Sequence, residues 1–299
     1  MEAVINIIKV IILSIVEGVT EFLPVSSTGH LIIANQIVGL EPEKFANSFN
    51  VIIQLGAILS VVVIYWTKLN PFPVAKLNHG DWPEKLKDPE TKNLIPKKIY
   101  YWFTHNKTVE LWLKIVVAVL PAMVLGLLFD DKIDELLFKP IPVAIALVVY
   151  GIIIIVLEER NKNKTDFKYH DPAEVSFKTA FLIGCFQVLA MWPGTSRSAA
   201  TIIGAMILGL SRYAAAEFSF FLAIPTMVGA TLLKLIKMEK LVFSQYMLIL
   251  LGFILSFVVA YIVIKKFMSY VQKNDFKPFG YYRIVLGVIV FILFTLVFK

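Results

Sequence analysis

Near its N-terminus the chain reads EGVTEFLPVSSTGH over residues 17–30. Two acids stand there in an apolar surrounding, and a proline with a run of hydroxyl residues follows them. Proline cannot continue a helical hydrogen-bond ladder, and it restricts the residue before it. The stretch therefore predicts a helix that breaks at Pro24 and restarts after it, within an apolar region over residues 3–40.

A matching break lies in the second half of the chain, where residues 193–198 read PGTSRS within the apolar region 179–210. A spanning helix needs about 20 apolar residues, and the halves of both regions are too short or too interrupted for that. Irregular backbone at membrane depth survives only when it is buried in protein or lines a wet cavity. We therefore expect two re-entrant helical hairpins, which enter the membrane and return.

The rest of the chain is typical of an integral membrane protein. Of 299 residues 58% are apolar and 17% are charged, against about 25% charged in soluble domains. This composition excludes a disordered chain, and the single cysteine excludes a disulfide scaffold. The net charge of +7 comes from lysines in loops, so no nucleic-acid partner is expected. We predict one all-α membrane domain over residues 1–299, surrounded by lipid, with six transmembrane helices near 45–67, 114–129, 140–157, 218–233, 241–264 and 284–298.

The two breaks also predict an internal repeat. Pro24 precedes Phe49 by 25 residues, and Pro193 precedes Phe218 by the same 25. This pairing places Ser27 on Ser196. Three predicted spans separate the hairpins, and because that number is odd the second unit is inverted relative to the first. The units begin at residues 1–66 and 179–235.

Basic residues predict the orientation. Loops 67–108, 158–180 and 265–281 carry 8, 5 and 4 of them, while 130–140 and 236–242 carry 2 each. Lys and Arg accumulate on the cytoplasmic side, so the first three loops are expected there. Segment 67–108 is a polar insertion to which we assign no chemistry. After it, Glu110 and Lys114 are spaced to pair one helical turn apart.

Glu17 and Glu21 are the first candidate site residues. Four residues apart, they share one face of a helix. Two carboxylates in hydrocarbon repel each other and are costly to desolvate. A divalent cation, an arginine or a shared proton would offset that cost; alternatively, both acids face water at a helix end.

The hydroxyl-rich turn at residues 26–30 is an N-cap signal. The free N–H groups from about Thr28 to His30 favour an anion. A hydroxyl here can also act as a nucleophile, with His30 or Glu21 as its base. The bland alternative is an ordinary helix cap.

Arg197 is the one charged residue between Thr179 and Ser211. A guanidinium at that depth needs an anion, and its planar fork suits phosphate oxygens. The alternative is a structural ion pair with Glu17 or Glu21. The two breaks are chemically complementary, so we expect them to meet around one pocket. Its remaining substrate-binding candidates are Ser26, Thr28, Gly194, Thr195, Ser196 and Ser198.

With these motifs the sequence resembles the undecaprenyl-diphosphate phosphatase family, the bacitracin-resistance type of lipid-carrier recycling enzyme. Residues 17–30 and 193–198 carry the resemblance, together with AAEFSFFLAIP at 215–225. Where the second motif usually continues with glycine, this chain has Ala199.

The resemblance implies hydrolysis of the terminal phosphate of a polyprenyl diphosphate, in the bacterial inner membrane and in the service of cell-wall synthesis. It implies a divalent metal, Mg or Ca, with Glu17 and Glu21 as the acidic motif. Ser27 and His30 match the candidate nucleophile and base, and Arg197 matches the phosphate-binding arginine. Attack by an activated water instead of Ser27 stays open, as do a homodimer and the rival function of a transporter or polyprenyl-phosphate flippase.

Overall fold

The computed structural model describes residues 2–72, 106–137, 139–237 and 241–297. Most of the predicted insertion at 67–108 therefore lies outside the described residues. The elements within them are helices, as the composition predicts: α1 Glu2–Thr20, α2 Ser27–Val38, α3 Glu43–Ile64, α4 Trp66–Leu69, α5 Lys107–Leu137, α6 Pro140–Arg160, α7 Phe177–Val188, α8 Arg197–Ile207, α9 Arg212–Lys237, α10 Phe243–Val271 and α11 Lys277–Ile292.

Six of these helices are long and apolar enough to cross a membrane, which confirms the predicted number of spans. They are the segments Lys44–Ile64, Lys107–Phe129, Pro140–Arg160, Arg212–Leu233, Phe243–Val271 and Lys277–Leu296. The second and the last begin seven residues earlier than predicted. In both, a charged residue taken as a boundary lies inside the helix, since protein groups satisfy it. Lys114 pairs with Glu110 at 2.7 Å, as predicted, and donates to the carbonyl of Ala173.

The helices on either side of the two breaks are not among the six spans. These are α1 and α2 at the first break and α7 and α8 at the second. In each pair the two helices pack against each other. Each proline-containing break therefore joins two shorter helices, and the long helices surround them.

The long helices pack closely where glycine replaces a side chain. A Cβ on Gly56 of α3 would lie 2.3 Å from the carbonyl oxygen of Phe253 on α10. A Cβ on Gly184 of α7 would lie 2.0 Å from the carbonyl oxygen of Ala118 on α5. Any larger residue at these positions would push the helices apart. Helix α1 also packs on α10, and α6 packs along α11.

Ion pairs tie the ends of several helices together, in a pattern that sequence reasoning did not predict. Arg212 and Glu217 were expected to form an interfacial pair at the start of α9. They are five residues apart, which places them well apart around a helix of 3.6 residues per turn. Arg212 instead binds Glu158 of α6 at 2.6 Å, and Glu217 binds Lys68 at 2.8 Å.

Lys68 lies outside the candidate spans and also contacts Asp171 at 3.3 Å. Partial burial lowers the pKa of Lys68, but the hydrogen bonds and charges of Glu217 and Asp171 outweigh this effect and raise the pKa above its ordinary value. Lys68 is therefore held as a cation against the buried carboxylate of Glu217.

Candidate active site

Both breaks restart their helix with the same cap. Ser26 precedes α2 and Ser196 precedes α8, each with a φ of 73°. The Ser26 side chain accepts from the N–H of Gly29 at 3.2 Å, and the Ser196 side chain accepts from the N–H of Ala199 at 3.3 Å. The predicted hydroxyl caps are thus confirmed. A positive φ is unfavourable for serine, so surrounding contacts must hold both turns.

The caps correct the register of the repeat by one residue. The proline pairing predicts an offset of 169 residues, whereas the capping serines are 170 apart. Proline identity misled the alignment, because backbone conformation and hydrogen bonding define the equivalent positions. At these caps Ser27 therefore corresponds to Arg197 rather than to Ser196.

The two breaks meet at the carboxylate of Glu21, just after the end of α1. Ser27 Oγ donates to Glu21 Oε2 at 2.6 Å. Arg197 Nη2 donates to Glu21 Oε1 at 3.0 Å. The side chains of Arg197 and Glu21 are only 13% and 9% exposed. Three residues from two distant parts of the chain thus form one nearly dry polar centre.

Further contacts orient the guanidinium of Arg197. Its Nη1 donates to the carbonyl of Ser219 on α9 at 2.9 Å, and its Cζ lies 6.0 Å from the centre of the Phe22 ring. Ser219 belongs to the third motif, and its hydroxyl lies 2.6 Å from that of Thr201. A guanidinium has five N–H donors, so it can bind an anion without losing every protein contact.

Glu17 is fully buried one helical turn before Glu21. Both of its carboxyl oxygens lack a hydrogen-bond donor among the described residues. A buried carboxylate without donors is costly and calls for a proton or a cation.

The acidic pair was tested for its fit to a divalent cation. No group of three or more His, Cys, Asp or Glu side chains with ligand geometry occurs within the described ranges. Mg²⁺ commonly uses one or two carboxylates and takes its other oxygens from substrate phosphates and water. Glu17 and Glu21 fit that kind of site.

His30 lies on α2 but does not contact Ser27 through a described hydrogen bond. Its Nδ1 is 2.7 Å from the carbonyl oxygen of Ser26, and its Nε2 is 2.6 Å from the hydroxyl oxygen of Tyr282. The hydroxyl of Ser27 is directed to Glu21. The structure therefore places the two base candidates differently with respect to this hydroxyl.

The other predicted binding residues lie at the same junction. Ser198 is buried, and its hydroxyl donates to the carbonyl of Leu23 across the two breaks at 2.9 Å. Thr195 is buried and Thr28 is half-buried. Gly194 has a φ of 95°, a conformation that glycine adopts at little cost.

Sequence reasoning missed Arg283, which is completely buried on α11. Its Nη1 donates to the carbonyl of Pro24 at 3.2 Å, and its Nη2 donates to the carbonyl of Gly194 at 2.8 Å. The two acceptors are 170 residues apart, like the caps. One guanidinium thus holds equivalent carbonyls of both breaks. The signal was a lone arginine followed by the apolar run 284–298, which was interpreted as a span boundary.

Fold and site together define a multi-pass helical membrane protein with a buried centre of acids, hydroxyls and guanidinium groups. The chain belongs to the family described as bacitracin resistance protein BacA, which matches residues 10–289. This confirms the resemblance seen in the motifs.

Curated relatives match nearly the whole chain. It is 50% identical over 296 residues to undecaprenyl-diphosphatase 1 of Clostridioides difficile (strain 630), which covers 98% of each chain. It is 50% identical over 294 residues to undecaprenyl-diphosphatase of Lactobacillus delbrueckii subsp. bulgaricus, covering 95% of this chain and 96% of the relative. The identity to undecaprenyl-diphosphatase of Acetivibrio thermocellus is 48% over 300 residues, covering 98% and 99%.

Proposed function

We propose that this chain is an undecaprenyl-diphosphatase. It hydrolyses the terminal phosphate of undecaprenyl diphosphate in the bacterial plasma membrane and returns undecaprenyl phosphate to cell-wall synthesis. The observation that carries this proposal is the cluster of Ser27, Glu21 and Arg197. It lies in a chain that is half identical to proteins of that name.

Arg197 binds the diphosphate. Its guanidinium suits bidentate contact with phosphate oxygens, and the helix starts after Ser26 and Ser196 add N–H groups that favour an anion. When the substrate enters, the guanidinium turns from Glu21 toward the phosphate. Glu21 then loses a neighbouring positive charge and becomes a stronger base.

Ser27 is the nucleophile that the geometry supports. Its Oγ attacks the terminal phosphorus while its proton passes to Glu21, the group to which it already donates at 2.6 Å. The bond to the bridging oxygen breaks, and undecaprenyl phosphate leaves. Water then hydrolyses the phosphoserine, with Glu21 accepting a proton from that water. This is the usual logic of a hydroxyl nucleophile paired with a base.

Glu17 and Glu21 would hold a divalent cation, Mg²⁺ or Ca²⁺, together with oxygens of the substrate. Such an ion supplies positive charge that stabilises the transferring phosphoryl group. The donor-free oxygens of Glu17 support this assignment. The role of His30 as a base stays a prediction, since Glu21 is the group bonded to Ser27.

The site lies where two re-entrant hairpins of an inverted repeat converge. The packing of α1 on α10 has its counterpart in α7 on α5, and α3 contacts α9 just as α6 contacts α11. These pairs are the ones that a two-fold axis between the halves would relate. Three spans, α3, α5 and α6, separate the hairpins, which supports the inversion. The positive-inside pattern orients the mouth of the first hairpin outward.

Phosphate release from undecaprenyl diphosphate by the detergent-purified chain tests this function. Glu21→Ala and Arg197→Ala should each abolish release while the protein still elutes as a folded species. Lys265→Ala is the control, because Lys265 is exposed on α10 and bonds only Tyr261 among the described contacts. Release by both site variants at the wild-type rate would overturn the site, and no release by the wild-type chain would overturn the function.

The symmetric packing also favours a second candidate function, a flippase for the lipid carrier, because inverted repeats with broken helices are common in transporters. Vesicles with labelled undecaprenyl phosphate distinguish the two functions. Movement of label across the bilayer without any phosphate release would favour the flippase.

A further inference from the structure

Tyr282 of α11 makes two separate contacts with His30 of α2. The rings are stacked, with centres 5.6 Å apart and planes 4° from parallel. The phenol oxygen also lies 2.6 Å from Nε2 of the imidazole. The stack and the hydrogen bond together restrict both the position and the rotation of the His30 ring.

The partners of His30 decide where its proton lies. The carbonyl of Ser26 can only accept a hydrogen bond, so Nδ1 at 2.7 Å must carry the proton. In the neutral ring Nε2 then has a lone pair, and the hydroxyl of Tyr282 donates to it. His30 is thereby held as the Nδ1–H tautomer with both nitrogens engaged.

The cap that receives this proton bond is the strained one before Ser27. Ser26 has a φ of 73°, and its carbonyl accepts from the backbone N–H of His30 at a long 3.3 Å as well as from the imidazole. The second break provides an internal comparison. There the carbonyl of Ser196 accepts from the backbone N–H of Ala200 at 3.0 Å, and alanine has no side chain that could add a second bond.

The imidazole clamp is therefore present at the break whose next residue is Ser27 and absent from the described contacts of the break whose next residue is Arg197. A nucleophile needs an accurately fixed oxygen, because small misplacements of reacting groups cost large factors in rate. An arginine that holds phosphate through a long side chain has no such need.

We propose that Tyr282 is a positioning residue for Ser27, acting through His30 and the carbonyl of Ser26. The hydroxyl of Tyr282 holds the His30 ring, the ring holds the Ser26 turn, and the turn directs the hydroxyl of Ser27 at Glu21. This inference rests on the proposed function, since it assigns a supporting residue to that same site.

Tyr282→Phe tests the proposal because it removes the hydroxyl and keeps the stacked ring. Losing one hydrogen bond of ordinary strength predicts a kcat for phosphate release about three- to tenfold lower, with KM unchanged. Tyr281→Phe is the matched control: its side chain is an adjacent tyrosine on the same helix, 57% exposed, and it should keep the wild-type kcat. In a His30→Gln background Tyr282→Phe should cause no further loss.

A second measurement does not depend on turnover. In the ¹⁵N-histidine spectrum, the resonance that disappears in His30→Gln reports on His30, which is one of four histidines. Its Nε2 signal should shift in Tyr282→Phe and stay in Tyr281→Phe. An unchanged kcat and an unchanged Nε2 signal in Tyr282→Phe would overturn the proposal, as would an equal loss of kcat in the His30→Gln background. If the wild-type chain released no phosphate, the proposed function would fail, while the spectrum would still decide whether Tyr282 holds His30.

Discussion

Replacing Arg283 with methionine tests whether one buried guanidinium holds the two breaks together. Methionine keeps a long flexible side chain but leaves the carbonyls of Pro24 and Gly194 without their donor. Each buried carbonyl left unpaired costs about 1–3 kcal/mol, so the two together cost about 2–6 kcal/mol. That free energy favours any rearrangement in which the breaks separate and admit water.

The catalytic effect should be larger than a simple loss of stability suggests. Ser27 and Arg197 follow the two turns that Arg283 joins, and a shift of about 1 Å between reacting groups can cost a factor of roughly 100 in rate. Arg283→Met should therefore reduce phosphate release from undecaprenyl diphosphate by about 100-fold or more. Arg283→Lys should fall between this variant and the wild type, because one ammonium replaces a two-pronged donor.

The assay compares initial rates of phosphate release and unfolding temperatures in the same detergent. Lys265→Met serves as the control, since it removes a cation from an exposed position. Wild-type rate and wild-type unfolding temperature in Arg283→Met would refute the reasoning, because two buried carbonyls would then have lost their donor without consequence.

Three further predictions concern the chemistry and the supporting ion pairs. With substrate labelled in its terminal phosphate, acid quenching should trap label on the wild-type chain and none on Ser27→Ala; full turnover without trapped label would favour attack by water. Excess EDTA should suppress phosphate release, and Mg²⁺ or Ca²⁺ should restore it, whereas undiminished activity in EDTA would reject a cation at Glu17. Lys68→Met should lower the unfolding temperature, because it leaves the buried carboxylate of Glu217 unpaired, and Glu217→Gln in the same chain should recover part of the loss. An unfolding temperature that does not respond to Lys68→Met would show that this ion pair is dispensable.

Local sequence patterns predicted the spans and the breaks because both depend on neighbouring residues. A long apolar run needs no knowledge of its partners to be recognised as a membrane helix. A proline followed by hydroxyl residues likewise marks a helix restart by its own chemistry. The acids at 17 and 21 and the arginine at 197 stood out because charge inside apolar sequence is costly wherever it lies.

Partners across the fold could not be predicted in this way. Arg283 was treated as the boundary of a span, because its acceptors at Pro24 and Gly194 are 259 and 89 residues away. Arg212 and Glu217 were paired by proximity in sequence, whereas packing brings each beside an opposite charge on another element. The register of the repeat was one residue out because proline is visible in the sequence and a positive φ at serine is not.

A double-mutant cycle between Glu21 and Arg197 tests the convergence of the two breaks most directly. Glu21→Gln, Arg197→Met and the double variant are compared with the wild type by unfolding temperature in one detergent. Removing either partner of the nearly buried pair strands the other charge, while removing both strands neither. The double variant should therefore lose less than the sum of the single losses, with a coupling of about 0.5–3 kcal/mol. Strictly additive losses would contradict the 3.0 Å contact between these groups and, with it, the shared pocket on which the proposed chemistry depends.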